Sequence, residues 1–236
     1  YVFQKANGIV DSNRLNDSLK TLTSNAMISK IYLYGSWGNS HGILGGTPEL
    51  LFRKSKENPL KVETLACAGT IKCNMGDEVI LSDLKEVKEH RIVVNGIKEA
   101  LHGYGEVSER KMIVAHFPHL SHLFTPIDLD GNEMLSFNIL VDLLHPTPAL
   151  GTYPKKNGIN WLKKLQKKVN RMHFGAPVGY IKGEEAACYV AIRNMQWKKN
   201  QIFLGAGCGV VNESIIEKEW KEILLKLNSI KKMLAL

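Results

Sequence analysis

Three charged side chains near the end of the sequence have a spacing that could bind a cation and an anion together. They are Glu219, Glu222 and Lys226, and on a helix that turns about 100° per residue they fall within a sector roughly 60° wide. An apolar stripe at helical spacing runs beside them, formed by Ile216, Trp220, Ile223, Leu227 and Ile230. Two carboxylates and an amine at the edge of a buried face suit a divalent cation with an anionic ligand. The alternative is a solvated helix flank with an ion pair, which this stretch alone favours.

The segment before this helix predicts how the helix begins. Residues 205–209 are rich in glycine and follow the apolar run 202–204, and glycines permit a tight turn whose N–H groups can approach an anion. Ser214 followed by Glu217 has the spacing of a capping box. A glycine turn and a helix that begins at about Ile215 are therefore expected.

The composition is that of an ordinary globular protein with a basic balance. The chain has 236 residues, of which 44% are hydrophobic and 23% charged, so it can bury a sizeable core. A net charge of +8 makes an anionic partner plausible, either a small polyacid or a nucleic acid. The four cysteines show no C-x-x-C pair and are expected to be reduced, buried thiols of a cytoplasmic protein. No stretch is long and apolar enough to predict a membrane span.

Hydrophobic periodicity predicts a mixed α+β chain with mostly antiparallel strands and no internal domain break. The predicted helices cover 13–24, 82–101, 135–144, 161–171 and the stretch from Ile215. The predicted strands cover 31–35, 62–68, 106–124, 178–181, 186–193 and 201–204, with a glycine turn at 42–46. Residues 1–5 look like the middle of a strand.

Several other residues suggest chemistry only weakly when each is taken alone. His116, His119 and His122 could be read as zinc ligands, but on a strand the middle one faces away from the other two, and zinc needs convergent ligands. Surface or core-edge histidines are the preferred interpretation. Glu49 follows a proline at the end of the glycine turn, where a carboxyl in a cleft could act as a general acid with a raised pKa. Cys67 is better explained as a small buried residue than as a nucleophile.

A basic run could contact nucleic acid. It comprises Lys163, Lys164, Lys167, Lys168 and Arg171. The same stretch places Leu162, Leu165 and Val169 on one face, which is typical of an amphipathic helix packed on a domain with a solvated basic side. No nucleic-acid motif accompanies it, so a nucleic-acid partner is not expected.

Taken in order, eight landmarks resemble the chorismate-binding domain shared by isochorismate, salicylate, anthranilate and aminodeoxychorismate synthases. They are G-G-T-P-E at 45–49, L-A-C-A-G-T at 65–70, K-E-H at 88–90, H-P-T-P-A at 145–149, F-G-A-P-V-G at 174–179, V-A-I-R at 190–193, G-A-G at 205–207, and E-W-K-E at 219–222 with Lys226. Ordered landmarks across nearly the whole chain are far more specific than any one motif. The resemblance implies a four-layer α/β/β/α fold, with two mostly antiparallel sheets flanked by helices and one cleft.

The resemblance also implies a role for each residue in the cleft. Mg²⁺ would be bound directly by Glu89 and Glu222 and through water by Glu219. Glu49 matches the general acid that protonates the departing C4 hydroxyl of chorismate. The substrate-binding positions are Ala68, Thr70, His145, Arg193, Gly205, Ala206, Gly207 and Lys226. Among them, Arg193 and Lys226 would bind the substrate's carboxylates, and Arg193 can bind one of them through two hydrogen bonds.

The version of the landmarks favours one member of the family. The H-P-T-P-A-L stretch at 145–150 resembles that of isochorismate synthases, and Ala68 stands where aminodeoxychorismate synthases carry a lysine nucleophile. The expected reaction is therefore Mg²⁺-dependent conversion of chorismate to isochorismate by a cytoplasmic monomer, with no nucleic-acid or membrane partner. Salicylate synthase, which then expels pyruvate, stays as an alternative. The sequence leaves open whether the product serves menaquinone, siderophore or salicylate synthesis.

Three departures from the family pattern bear on activity. The family's general base is a lysine on an upstream strand, and counting back from Glu49 puts it at or just before Tyr1, where this chain has none; Lys5 and Lys30 are poor substitutes. Residues 1–236 are thus expected to form one catalytic domain that lacks the N-terminal part of the family fold, and a chorismate-binding fragment with impaired turnover is a second alternative. Phe174 stands where the family has Tyr, and Cys67 replaces a Leu that lines the path of the attacking water.

Overall fold

The protein consists of two antiparallel β-sheets with helices packed on them. The computed structural model describes residues 1–73, 75–166 and 169–236. The strands are β1 (Val2–Asn7), β2 (Tyr32–Trp37), β3 (His41–Thr47), β4 (Leu50–Lys54), β5 (Lys61–Lys72), β6 (Gly105–Glu109), β7 (Ile113–His116), β8 (Leu120–Gly131), β9 (Pro177–Lys182), β10 (Glu185–Val190), β11 (Asn194–Lys198) and β12 (Gln201–Ala206). The helices are α1 (Ser12–Ile28), α2 (Asp77–Ser82), α3 (Leu84–Leu101), α4 (Phe137–Leu144), α5 (Lys155–Gln166) and α6 (Ile216–Met233).

The strand order separates the chain into a five-stranded and a seven-stranded sheet. The first has the order β1-β12-β11-β3-β2, and the second the order β6-β8-β5-β4-β10-β9, with β7 paired to β8. Among the described residues, the paired strands run antiparallel. No described helix is long and apolar enough to cross a membrane.

Each sheet has its own helical layer and its own hydrophobic core. Val93 and Ile97 of α3 pack with Ile127 and Leu129 of β8 in one buried cluster, whereas Leu22 of α1 shares a second cluster with residues of α6. Burial of such side chains stabilises the fold by about 1.5–3 kcal/mol each. This arrangement confirms the predicted α+β class with two sheets flanked by helices.

The glycine-rich stretch 42–46 is a strand and not the predicted turn. Gly42 and Gly45 lie in β3 between β2 and β11, and neither has a φ in the left-handed region. A Cβ on Gly42 would lie 2.6 Å from Cη2 of Trp197, and a Cβ on Gly45 would lie 2.7 Å from Cβ of Asn194. Glycine is required at these positions because the side chains of Trp197 and Asn194 pack directly against the strand. Glycine content alone does not distinguish such close packing from a turn.

The chain passes from one sheet to the other at Arg193. The single strand predicted over 186–193 ends at Val190, and residues 194–198 form the separate strand β11 in the other sheet. Between them Arg193 has a φ of 53°, which is unusual for a residue other than glycine and breaks the strand. The sequence pattern did not reveal this break because apolar residues continue on both sides of it.

Helix boundaries also differ from the predictions at three places. Asp83 ends α2 and caps α3 by accepting from the N–H groups of Lys85 and Glu86, so the helix predicted over 82–101 begins at Leu84 and a short unpredicted helix precedes it. The Ser214 hydroxyl accepts from the N–H of Val211 and does not cap α6. The predicted helix 161–171 begins earlier, at Lys155, and its residues Lys167 and Lys168 lie outside the described residues.

The apolar stripe predicted on α6 is buried only in its later part. Ile223, Leu227 and Ile230 are buried, whereas Ile216 is 82% and Trp220 49% exposed. The first turn of α6 therefore extends beyond the sheet, and the acidic edge of the helix, with Glu219 buried, faces the interior of the cleft.

Gly42→Ala tests the close packing of β3 against Trp197. The added methyl group forces the indole or the strand to shift, so the free energy of unfolding should fall by about 1–3 kcal/mol. Urea unfolding of the two proteins measures the difference. Gly38→Ala is the matched control, because the nearest atom to its Cβ is 3.4 Å away; equal unfolding midpoints for Gly42→Ala and the parent chain would contradict the packing account.

Candidate active site

Arg193 stands at the crossing between the sheets because its backbone is fixed by polar contacts. The Tyr34 hydroxyl donates to the carbonyl of Ile192 at 2.7 Å. The Asn194 amide donates to the carbonyl of Ala191 at 2.9 Å and to the Tyr34 hydroxyl at 2.8 Å. Strained backbone of this kind persists only where surrounding contacts determine it. These contacts aim the guanidinium into the space between the sheets.

His122 of β8 orients that guanidinium. Nη2 of Arg193 contacts Nε2 of His122, and the guanidinium lies 5.0 Å from the centroid of the Phe117 ring. Burial and the positive charges of Arg193 and Lys226 hold the pKa of His122 well below its usual range. The neutral ring can donate from Nδ1 to the carbonyl of Gly69, 3.2 Å away, which leaves Nε2 as an acceptor for Arg193. Burial lowers the pKa of Arg193 to about 10, so the guanidinium stays charged at neutral pH.

Glu49 is a buried carboxyl that interacts electrostatically with Arg193 and Lys226. It follows β3 and is only 6% exposed, and its N–H donates to the Thr47 hydroxyl at 3.1 Å. The Thr147 hydroxyl donates to Oε1 of Glu49 at 3.3 Å. Burial raises the pKa of Glu49 to about 7, while the Thr147 hydrogen bond and the charges of Lys226 and Arg193 oppose the rise. A carboxyl with this pKa holds its proton near neutral pH and can donate it to a ligand.

Four carboxylates from two helices converge at the other end of the cleft. Glu86 and Glu89 lie on the first turns of α3, and Glu219 and Glu222 on those of α6. The Lys85 ammonium lies among them, with Nζ 3.1 Å from Glu86, 2.9 Å from Glu89, 3.1 Å from Glu219 and 3.7 Å from Glu222. Burial of Glu86 raises the pKa of its carboxyl.

Lys226 connects this cluster to the backbone that follows β12. Its Nζ lies 2.6 Å from Oε1 of Glu222 and donates to the carbonyl of Gly207 at 2.9 Å. The Glu222 carboxylate opposes the effect of burial, and the pKa of Lys226 is raised. The ion pair expected for a solvated helix flank is therefore present between Lys226 and Glu222, but it lies inside the cleft.

The cluster has the chemistry of a divalent-cation site. Its donors are hard carboxylate oxygens, the kind that Mg²⁺ prefers, and Oε2 of Glu219 is buried without a hydrogen-bond partner. Gly209 leaves room for Glu89, since a Cβ there would lie 2.5 Å from the carboxyl carbon. Among the described residues no three ligand side chains already stand in metal geometry; the Lys85 ammonium lies between them instead. The residues present fit Mg²⁺ if that ammonium moves.

The predicted substrate-binding residues Ala68, Thr70 and His145 lie in two places, strand β5 and the end of α4. Ala68 and Thr70 lie on β5 beside the cleft, and Thr70 donates through its N–H to Glu86 at 2.6 Å and contacts His122 through its hydroxyl at 3.1 Å. The His145 ring contacts the carbonyl of Gly175 at 2.7 Å. Thr147, two residues further along the same loop, contacts Glu49.

The backbone 205–207 does not form the predicted glycine turn. Gly205 and Ala206 belong to β12, and Gly207 lies outside the left-handed region. A Cβ on Gly205 would lie 2.6 Å from Phe3 and 2.7 Å from Phe174. The small residues allow aromatic side chains to pack on the strand, and the carbonyl of Gly207 positions Lys226.

Sequence reasoning missed four residues of this site: Lys85, Glu86, His122 and Thr147. The first two had a signal, because Lys85 is four residues and Glu86 three residues before Glu89, and residues so spaced share a helix face. His122 was grouped with His116 and His119, yet His116 contacts Asp77 and Ser121 outside the cleft. Cys67 is partly buried and not fully buried as predicted, but loss of hydration still raises the pKa of its thiol to about 12, so little thiolate forms at neutral pH.

The fold and the site define a class of protein: a two-sheet α+β domain with a carboxylate cluster beside the partly buried cations Arg193 and Lys226. Residues 9–235 match the family described as chorismate binding enzyme. The chain is 32% identical over 203 residues to the salicylate biosynthesis isochorismate synthase of Pseudomonas aeruginosa, covering 81% of this chain and 42% of that protein. It is 31% identical over 219 residues to the isochorismate synthase MenF of Bacillus subtilis, covering 89% and 45%.

A solved structure supports the same conclusion about the fold. A putative 2,3-dihydroxybenzoate-specific isochorismate synthase, DhbC from Bacillus anthracis, superimposes with a TM-score of 0.80 at 24% identity, covering 99% of this chain and 66% of that one. The chain belongs to the chorismate-binding enzyme family. It spans less than half the length of the two curated relatives.

The raised pKa of Glu49 can be measured directly. Infrared difference spectra recorded between about pH 6 and pH 8 should show a protonated carboxyl losing its proton with a midpoint near 7, because burial disfavours the charged form. The band should be missing in Glu49→Gln. Glu63→Gln, which alters a more exposed carboxyl, should retain it, and a parent spectrum without a protonated carboxyl at pH 6 would refute the assignment.

Proposed function

We propose that the chain is the catalytic domain, residues 1–236, of a monomeric, cytoplasmic, Mg²⁺-dependent isochorismate synthase that isomerises chorismate. The observation that carries the proposal is the presence in one cleft of a protonatable buried carboxyl, Glu49, two cations, Arg193 and Lys226, and a carboxylate cluster. Chorismate has two carboxylates and a hydroxyl leaving group, and this set of side chains provides a partner for each. The two curated relatives are both described as isochorismate synthases.

The residues of the cleft have separate binding roles. Arg193, held by His122, binds one substrate carboxylate through two hydrogen bonds. Lys226, which donates to the Gly207 carbonyl, binds the other carboxylate. Glu89 and Glu222 would bind Mg²⁺ directly and Glu219 through water. When bound, the metal neutralises the carboxylates that would otherwise repel a dianionic substrate. Glu86 is bonded to the Thr70 N–H, so we assign it to positioning β5.

Glu49 supplies the proton in the proposed reaction. The neutral carboxyl donates its proton to the C4 hydroxyl, which leaves as water when the C4–O bond breaks. A second water adds through its oxygen at C2, the double bonds shift between these carbons, and the added water gives its extra proton to a base. Thr147 donates to Glu49 and limits the rise of its pKa, so the acid can still give up its proton near neutral pH.

The general base of this proposed mechanism is expected near the beginning of the chain. The lysine expected by resemblance falls at or just before Tyr1, and Cβ of Tyr1 would lie 3.3 Å from a Cβ on Gly207. This position is next to the carbonyl that contacts Lys226. A base there would face the substrate side of the cleft.

Product analysis tests the proposed reaction. Incubation with Mg²⁺ and chorismate should give isochorismate, resolved by chromatography, and chelation should stop the reaction. Salicylate and pyruvate as the main products would assign the chain to salicylate synthases. Mg²⁺-dependent chorismate binding without any product would indicate a binding fragment, and salt-sensitive binding to random DNA in place of chorismate would support the nucleic-acid alternative.

Glu49→Gln should leave chorismate binding intact and lower kcat by about 100-fold or more, because the amide cannot donate a proton as an acid does. In the parent enzyme kcat/KM should fall as the pH rises through about 7, since the acid form of Glu49 is the active one. Calorimetry and pH-dependent rates provide the two measurements. Loss of chorismate binding in Glu49→Gln would contradict the role of Glu49 as an acid.

Glu222→Gln should abolish Mg²⁺-dependent chorismate binding, because a neutral amide is a much weaker ligand for Mg²⁺. Titration of Mg²⁺ in the presence of chorismate measures the effect. Glu217→Gln is the matched control on the exposed first turn of the same helix and should bind as the parent does. A Glu222→Gln titration that superimposes on the parent's would refute the ligand assignment.

A further inference from the structure

The Lys85 ammonium occupies the centre of the carboxylate cluster. Its Nζ lies between 2.9 and 3.7 Å from all four carboxylates. The Lys85 side chain is 15% exposed, and the carboxylate side chains are each 10% exposed. Lys85 therefore stands in the same place, and against the same oxygens, as a divalent cation of the proposed enzyme would.

An ammonium satisfies this cluster incompletely. It has three N–H donors; it donates to Glu86 and Glu89 and lies 3.1 Å from Glu219. The fourth carboxylate, Glu222, relies on Lys226 at 2.6 Å. Oε2 of Glu219 remains buried without a partner. A cluster with an unused buried oxygen favours a cation that accepts more oxygens than an ammonium can.

Lys85 and a divalent cation exclude each other from this place. Like charges a few ångströms apart in a partly buried site repel strongly, and the same oxygens cannot contact both at short range. Lys85 lies on the first turn of α3, next to Leu84, which is 84% exposed. Its flexible four-carbon stem can carry the ammonium toward solvent without moving the helix.

We propose that Lys85 is an internal counter-ion that occupies the cation position of the metal-free cleft, so that Mg²⁺ binds only by displacing it. This inference rests on the proposed metal site. The exchange makes Lys85 the residue that sets Mg²⁺ affinity. It also keeps the four carboxylates together before the metal arrives, because without a cation their mutual repulsion would separate α3 from α6.

Lys85→Met removes the competing charge and retains the aliphatic stem. In calorimetric titrations without chorismate, Mg²⁺ should bind Lys85→Met about tenfold or more tightly than the parent chain. The metal-free variant should melt at a lower temperature and regain the difference when Mg²⁺ is added. Lys88→Met, which removes a lysine that is 48% exposed and paired with Glu213, is the matched control and should leave Mg²⁺ affinity unchanged. Equal or weaker binding by Lys85→Met overturns the proposal.

A second measurement needs no variant and applies even if Lys85→Met does not fold. Amine acetylation of the parent chain, followed by mass spectrometry, compares Lys85 with Lys88 in the same sample. Mg²⁺ should increase the rate at Lys85 several-fold and leave that at Lys88 unchanged, because displacement exposes the Lys85 amine. A Lys85 rate that does not respond to saturating Mg²⁺ overturns the exchange.

These outcomes are separable from those of the proposed function. Mg²⁺-dependent isochorismate formation with unchanged Mg²⁺ affinity in Lys85→Met would sustain the enzyme and overturn the counter-ion. Tighter Mg²⁺ binding by Lys85→Met, without any turnover of chorismate, would sustain the counter-ion and count against the enzyme. Absence of Mg²⁺ binding by both proteins overturns the counter-ion role together with the metal site.

Discussion

The architecture of the cleft depends on keeping four buried carboxylates together. Glu86 and Glu89 come from a helix packed on the seven-stranded sheet, and Glu219 and Glu222 from a helix packed on the five-stranded sheet. Uncompensated, their repulsion would oppose the approach of the two halves. Lys85 and Lys226 supply the compensating charge in the structure, and a divalent cation can supply it during the proposed reaction. The four carboxylates need positive charge for the two helices to lie close together, and the same need makes their cluster a candidate metal site.

The opposite wall of the cleft uses burial for a different purpose. Loss of hydration raises the pKa of Glu49 to about 7 because it outweighs the Thr147 hydrogen bond and the charges of Lys226 and Arg193. His122 is kept neutral by burial and by two nearby cations, which allows it to accept from Arg193. The carboxylates around Lys85 can therefore attract a cation, whereas the Glu49 carboxyl can carry a proton. The two behaviours differ because the neighbouring residues differ.

Small residues make room for larger side chains on the five-stranded sheet. Gly42 and Gly45 allow Trp197 and Asn194 to cross β3, and Gly205 allows Phe3 and Phe174 to pack on β12. Arg193 reaches the cleft because Tyr34 and Asn194 hold the backbone on either side of it. The glycines of β3 and β12 therefore serve side-chain packing more than backbone turning.

The sequence by itself determined the fold class, the family and most residues of the candidate site. Periodicity located the principal helices and most strands because hydrophobic spacing is a local property, and the ordered landmarks identified Glu49, Glu89, Arg193 and Glu222. Only the tertiary structure decided what each residue contacts. The helical pattern alone favoured a solvated flank for Glu219 and Glu222, and the resemblance assigned them to a metal. Only the structure showed that both lie beside the Lys85 ammonium of α3. Glycine composition could not distinguish a turn from a crowded strand, because the Trp197 ring that requires Gly42 is 155 residues away in sequence. Charge compensation and steric crowding act between distant segments, so they become visible only when the chain is folded.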